Sequence, residues 1–364
     1  MFGKKKKSTE PVVLLESWSP SCEIQAFVEE SDTCCYFYLW FHPGRENAHV
    51  KSCWICNVGK SPDKLDTDAM KNGMAPPMPK EYVKHDAGGI RLNQEKLNVI
   101  WFEEGDAAAL LEGDKLLCVI PGWSGEYDFS GYSRYAVGMA PYAWELAQAE
   151  NVLLERVHKS REFWNYLEGE FWGQVQQMHM ETLENFFGKH EQYFAIDGRK
   201  FPPKALISGS KDDVCYGITA GVSLLPMPQV EQYFQDETSD FRRIELGFAA
   251  TEEKRDICMN MYSFISSISN IPWREISFLG HGHTVPCQVI DGFSAVWLLD
   301  SRLLFQIDAP VYPDFMKDKI NLLWLVPLKE EEYQKVMEIG TEEALKLLQG
   351  SMERLHVFDG NGKF

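Results

Sequence analysis

Three stretches decide how this chain reads: Cys215-Tyr216-Gly217-Ile218-Thr219-Ala220-Gly221-Val222-Ser223-Leu224-Leu225-Pro226-Met227, then Arg242-Arg243-Ile244-Glu245-Leu246-Gly247-Phe248, and last Leu322-Leu323-Trp324-Leu325-Val326-Pro327-Leu328-Lys329-Glu330-Glu331-Glu332-Tyr333. Val214 to Leu224, Arg243 to Ala250 and Leu322 to Val326 are apolar runs of strand length. Pro327 leads from the third run towards a helix over Glu330 to Ile339, whose acidic first turn opposes the positive helix N-terminus. Gly340 stops that helix, Thr341 caps a second one over Glu342 to Gln349, and Gly350 ends it. Ala205 to Ser208, Ala295 to Leu299 and Leu303 to Ile307 complete the predicted strands. Ile257 to Ile268 suits a helix with Met261, Phe264, Ile265 and Ile268 inward, and Pro272 lies just beyond it.

The chain before this region reads differently. Residues 11 to about 140 are β-rich. Glu23 to Val28 alternates polar and apolar side chains, while Cys34 to Phe41 is apolar throughout, the pattern of a strand covered on both faces. Val50 to Val58, Leu97 to Phe102 and Leu116 to Ile120 are further strands, and Ser61 to Gly89 reads as a long surface loop. Apolar residues then recur at helical spacing from about Ala143 to Phe187, with Gly169 and Gly173 dividing the run and Gly188 placed to close it. The fold class expected is α+β (mixed α/β), with a β-rich domain over 1–145, a helical connector over 146–190, an α/β domain over 191–350 and a tail over 351–364.

The order and spacing of Gly221-Val222-Ser223, Glu245-Leu246, the helix beginning near Arg255 and Leu325-Val326-Pro327-Leu328 with its acidic turn resemble the Suppressor of fused domain, over roughly Glu191 to Leu348. Ahead of it, Ser17 to Cys22, Lys51 to Trp54, Trp101 to Asp106 and Pro121 to Gly125 are similar to the N-terminal extension of longer bacterial members. The resemblance implies a module that holds other proteins. Animal members sequester a transcription factor through an acidic, cleft-like surface between two domains, and bacterial members often serve as immunity proteins that neutralise a toxin. The long C-terminal domain of animal members, with its disordered insert, has no counterpart here, so signalling of the animal kind is not implied.

Charge narrows the field. The chain carries 36 basic and 54 acidic residues, a net charge of −18, which disfavours nucleic acid and anionic membrane and suits a basic protein partner. With hydrophobic residues at 45% and aromatics at 13%, the chain can bury a sizeable core. Lys4 to Lys7 lack the apolar segment that would make a signal peptide and read as a solvated terminus. No run approaches the length needed to span a bilayer. Nine cysteines, an odd number without a secretion signal, read as reduced thiols, and the expected location is the cytoplasm.

Chemistry-bearing clusters are few. Cys53-Trp54-Ile55-Cys56 lies in a strand-like run, where positions three apart face opposite ways, and no second pair completes a zinc site. His281, His283 and Cys287 form the best metal-like group, although Gly280 and Gly282 suit a plain loop. Glu103, Glu104 and Asp106 read as an acidic turn after a strand. Asp359 to Lys363 has only part of a calcium loop and reads as a loose terminus. The expectation is therefore no catalytic residue, no cofactor and no established metal site. Glu231, Tyr233, Phe234, Asp236, Glu237 and Asp240, on an acidic loop with two aromatics, are the partner-binding candidates. The reading is a non-catalytic cytoplasmic immunity or sequestering protein. A scaffold or regulator of another cellular protein and a metal-dependent hydrolase using the His281 region are the alternatives.

Overall fold

In the computed structural model, which describes residues 10–348 and 352–364, alternation along the early strands translates directly into a buried and an outer face. Lys4 to Lys7 and the predicted stop at Gln349 and Gly350 lie outside the described residues. The chain divides into two compact units, Met1–Glu168 and Gly169–Phe364. The predicted 146–190 connector thus contributes its first helix to one unit and its second to the other.

In the first unit, β1 (Val12–Trp18), β2 (Ile24–Glu30), β3 (Cys34–Phe41) and β4 (His49–Asn57) form an antiparallel sheet in sequence order. Ile24, Ala26 and Val28 are fully buried. The following segment holds helix α1 (Thr67–Lys71) and, rather than remaining a free surface loop, packs over the sheet. Tyr36 Oη donates to Pro76 O at 2.7 Å, and Asn57, fully buried, joins Trp54 Nε1 to Met78 N and O through bonds of 2.8–2.9 Å. A second sheet is built from β5 (Leu97–Trp101), β6 (Ala108–Glu112), β7 (Lys115–Ile120), β8 (Tyr132–Ser133), β9 (Met139–Ala140) and β10 (Ala143–Glu145). Helix α2 (Glu150–Glu168) lays Leu153 and Val157 against Phe102, Leu111 and Val119 of that sheet's core. Cys53 and Cys56 lie within β4, and all nine cysteines are buried and unbridged.

The second unit begins with α3 (Trp172–Phe187), which Gly188 ends at φ +88°. Its sheet runs β11 (Gln192–Ala195), β12 (Ala205–Lys211), β13 (Val214–Ala220), β14 (Arg243–Thr251), β17 (Ile320–Leu328), β16 (Ala295–Asp300) and β15 (Thr284–Pro286), with β18 (Val357–Phe358) added beside β14. β14 and β17 pair in parallel at the centre, Arg243 opposite Ile320 and Gly247 opposite Trp324, and β17 is buried along its whole length. Strands covered on both faces carry apolar residues at consecutive positions, which is why both runs were legible in the sequence.

Helices α4 (Val230–Phe234) and α5 (Thr238–Phe241) connect β13 to β14, α6 (Cys258–Ile268) and α7 (Ile271–Glu275) follow β14, and α8 (Glu330–Ile339) and α9 (Thr341–Leu345) follow β17. Helix α6 crosses β13 at Gly217, where any Cβ would collide with the ring of Tyr262.

Three local expectations are corrected. Leu303 to Ile307 forms no strand: the segment after β16 turns at once, and Phe305 is 85% exposed. Thr341 is the first residue of α9 rather than its cap, and its hydroxyl lies 3.2 Å from Trp297 Nε1 and 3.3 Å from Gly282 O. The chain end is held: β18 pairs with β14, and the backbone N–H of Phe364 donates to Glu332 Oε1 at 2.9 Å. No helix among the described residues is long and apolar enough to cross a membrane.

Candidate functional site

The acidic segment Glu231 to Asp240 is not an open loop. It folds as α4 and α5 joined by a 3₁₀ turn, because Val230 is buried and Phe234 stacks on Phe241 with ring centroids 4.4 Å apart. This packing turns the polar residues outward: Asp236 and Glu237 are exposed, and Glu231 and Asp240 half-exposed. Tyr233 remains 66% exposed while its ring leans on Phe278 at 5.1 Å.

Beneath this helix pair is a cavity of about 310 Å³. Tyr233, Phe234, Phe241, Phe278, Leu303 and Leu323 give its apolar lining, and His281, His283, Asp300 and Asn321 supply polar groups. Two sequence candidates that looked unrelated, the α4 aromatics and the histidine pair, therefore meet in one place. Apolar walls with a few convergent polar groups are the usual form of a binding site.

The histidines do not share a strand face as a metal pair would. Gly282 adopts φ +86°, which makes a turn of Gly280–His283 ahead of β15. His281 Nδ1 accepts the backbone N–H of Asp300 at 3.1 Å, which leaves the proton of a neutral ring on Nε2. Burial lowers the pKa of both imidazoles, so neither carries charge at neutral pH. Cys287 stands apart from the cavity: it is buried, its backbone N–H bonds Ser294 O at 2.8 Å, and burial raises its thiol pKa. Among the described residues no group of three or more His, Cys, Asp and Glu side chains is placed to hold a metal. Glu104, from the acidic turn after β5, forms an ion pair with Arg156 of α2 at 3.1 Å.

Asp300 was missed by sequence reasoning, though a carboxylate at the end of the apolar run Ala295 to Leu299 is the signal that marks it. It is 2% exposed, and burial pushes its carboxyl up to about 6. The fold thus favours the protonated form. The stabilisation is complete below the unfolded value near 3.9 and is lost as pH rises through about 6, at a cost of up to ~3 kcal/mol at neutral pH. Asp300→Asn keeps an oxygen for the Arg302 N–H bond of 2.8 Å and removes the charge. Its thermal midpoint is expected to exceed the wild type's at pH 8 and to match it near pH 4. Equal midpoints at pH 8 would show that the carboxylate is better solvated than its burial implies.

A second polar cluster explains the sequence marks themselves. Glu245, fully buried, accepts from Thr219 Oγ1 (2.5 Å), Gly221 N (2.9 Å), Ser223 N (3.0 Å) and Ser223 Oγ (2.6 Å). His179 Nε2 of α3 lies 3.3 Å from Ser223 Oγ, and burial holds its pKa down. Arg243, also fully buried, donates to Ser223 O, Leu224 O and Asp318 Oδ2. Most of these polar groups bond to the Gly221–Leu224 turn and hold it, whereas His179 Nδ1 is buried without a hydrogen-bond partner.

Residues 204–361 match the family model described as Suppressor of fused protein, and the chain therefore carries a Suppressor of fused-like domain in its C-terminal part. A solved structure entitled the Sufu-Fu complex crystal structure is similar at 12% identity and a TM-score of 0.37, covering 52% of this chain and 91% of that one. No curated protein matches. The Suppressor of fused family is a regulatory, protein-binding family not known for enzymes.

Proposed function

We propose that this protein is a non-catalytic binding protein of the immunity or sequestering type, which holds a basic partner such as a toxin domain against its α4–α5 face in the cytoplasm. The carrying observation is the exposed Tyr233 set among Glu231, Asp236, Glu237 and Asp240 over an apolar cavity. An exposed aromatic inside a charged rim has the make-up of an interface anchor. A net charge of −18 would speed encounter with a basic partner and slow it as salt rises. The family match supports a protein partner.

Affinity capture of the tagged protein from its own cells at moderate salt, with the captured protein identified by mass spectrometry and tested for toxicity, checks this. One basic, stoichiometric protein whose toxicity this chain suppresses is the expected result. A harmless stoichiometric partner would favour a scaffold or regulator, and turnover with one bound metal would favour an enzyme. For the captured partner, Tyr233→Ala is expected to weaken binding at least about tenfold, mainly through dissociation. Asp236→Lys with Glu237→Lys should instead slow association and flatten its salt dependence. Both can be read by surface plasmon resonance at two salt concentrations; unchanged constants for both variants would remove α4–α5 from the interface.

A further inference from the structure

Resting on that reading of the α4–α5 face, we propose that the cavity beneath it is a socket for one lysine or arginine side chain of the partner, with the aliphatic stem against Phe234, Phe241, Phe278 and Leu303 and the cation on the carboxylate of Asp300. Three observations carry this.

The first is Asp300 itself. It lines the cavity yet is 2% exposed, and among the described residues no ion pair includes it. Its neighbour Arg302 gives it a backbone N–H and a through-space attraction that lowers its pKa less than burial raises it, while the hydrogen bonds of the guanidinium go to Asp240 O at 2.9 Å and Asn321 Oδ1 at 2.7 Å. Asp318 is the contrast, since its carboxylate holds both Arg242 and Arg243. A buried carboxylate that faces a cavity and has no direct ion pair is poorly compensated, and a cation in the cavity would stabilise it.

The second is the walls. Aromatic faces and aliphatic side chains suit the methylenes of a long basic side chain and attract its charge. A cavity of about 310 Å³ leaves space for such a chain.

The third is the surroundings. His281 and His283 are neutral near pH 7 and do not oppose a cation, while Asp236, Glu237 and Asp240 at the rim draw a basic segment in.

The groups facing Asp300 also fix the sign of a pH effect. Below about pH 6 Asp300 takes a proton, and falling pH also favours charge on the imidazoles of His281 and His283, although burial opposes it. Both changes weaken the hold on a cation. The Arg302 guanidinium acts on Asp300 and the Glu342 carboxylate acts on His281.

The test uses the full chain and three fluorescent peptides, acetyl-Gly-Lys-Ala-X-Ala-Lys-Gly, with X as arginine, citrulline or norleucine, followed by anisotropy at pH 7.5 and 5.5. The arginine peptide is expected to bind at least about tenfold more tightly than either analogue. That advantage should fall about fourfold at pH 5.5, where a group titrating at about 6 is only about one quarter ionised, and should vanish in Asp300→Asn at either pH. Norleucine binding as well as arginine would overturn the socket in favour of an apolar anchor site. An arginine preference that survives Asp300→Asn would overturn the assignment of the cation to Asp300. If no peptide binds while Tyr233→Ala still weakens the captured partner, the socket falls and the α4–α5 reading stands; if Tyr233→Ala also has no effect, both fall.

Discussion

Replacing Glu245 with alanine is expected to cost the C-terminal unit about 3–5 kcal/mol, the range for removing one member of a buried, hydrogen-bonded charge network. The carboxylate accepts from two backbone N–H groups, Gly221 and Ser223, and two hydroxyls, Thr219 and Ser223, all within 3.0 Å and all buried. Alanine leaves those donors with no acceptor, at about 1–3 kcal/mol for each one left unsatisfied. Relaxation and entering water offset part of that sum, so the total falls below the simple product. The turn has no inexpensive way to rearrange, because Gly221 sits at φ +99° with Pro203 O and the Trp172 ring against its open side. Urea denaturation gives the magnitude. Hydrogen exchange across 214–224 gives the location, with protection lost there first. A loss under ~0.5 kcal/mol would show that the carboxylate is a passenger in an already rigid turn.

Asp318→Ala is the second large effect, expected at about 3–5 kcal/mol by the same reasoning applied to the opposite charge. Asp318 Oδ2 receives Arg243 Nε at 2.6 Å and Arg242 Nε at 2.8 Å, and Arg243 is fully buried over the Phe315 ring at 5.0 Å. Without the carboxylate, the buried guanidinium loses that anion and still faces the carbonyls of Ser223 and Leu224. Those carbonyls belong to the turn that Glu245 holds by its N–H groups. The two substitutions therefore share a structural element, and the double variant is expected to lose less than the sum of the singles, with a coupling of at least about 0.5 kcal/mol. Strict additivity would mean that the turn is held independently from its two sides.

The same residues show where sequence reading succeeds. Gly221-Val222-Ser223 and Glu245-Leu246 were read as marks of a resemblance, and the structure supplies their chemical reason: a buried carboxylate capping a glycine-dependent turn. Such a device needs particular residue types, so it leaves a trace in the sequence. β14 and β17 were legible for a related reason, since burial on both faces demands consecutive apolar residues. Leu303 to Ile307 misled because its apolar side chains suit a strand locally, while the segment leaves the sheet right after Asp300 and ends with Phe305 in solvent.

By itself, the sequence determined the α+β class, the order of the strong strands and helices, the acidic character and the presence of the Suppressor of fused-like domain. These follow from patterns within short windows, where burial and turn geometry select residue types directly. Only the tertiary structure decided that Tyr233 and Phe234 share a cavity with His281 and His283, and that Asp300 lines that cavity without a direct ion pair among the described residues. These groups come from α4, the turn before β15 and the end of β16, and the spatial strand order 14-17-16-15 brings them together. Such proximity depends on a parallel crossover and on long-range packing, which no local period in the chain encodes.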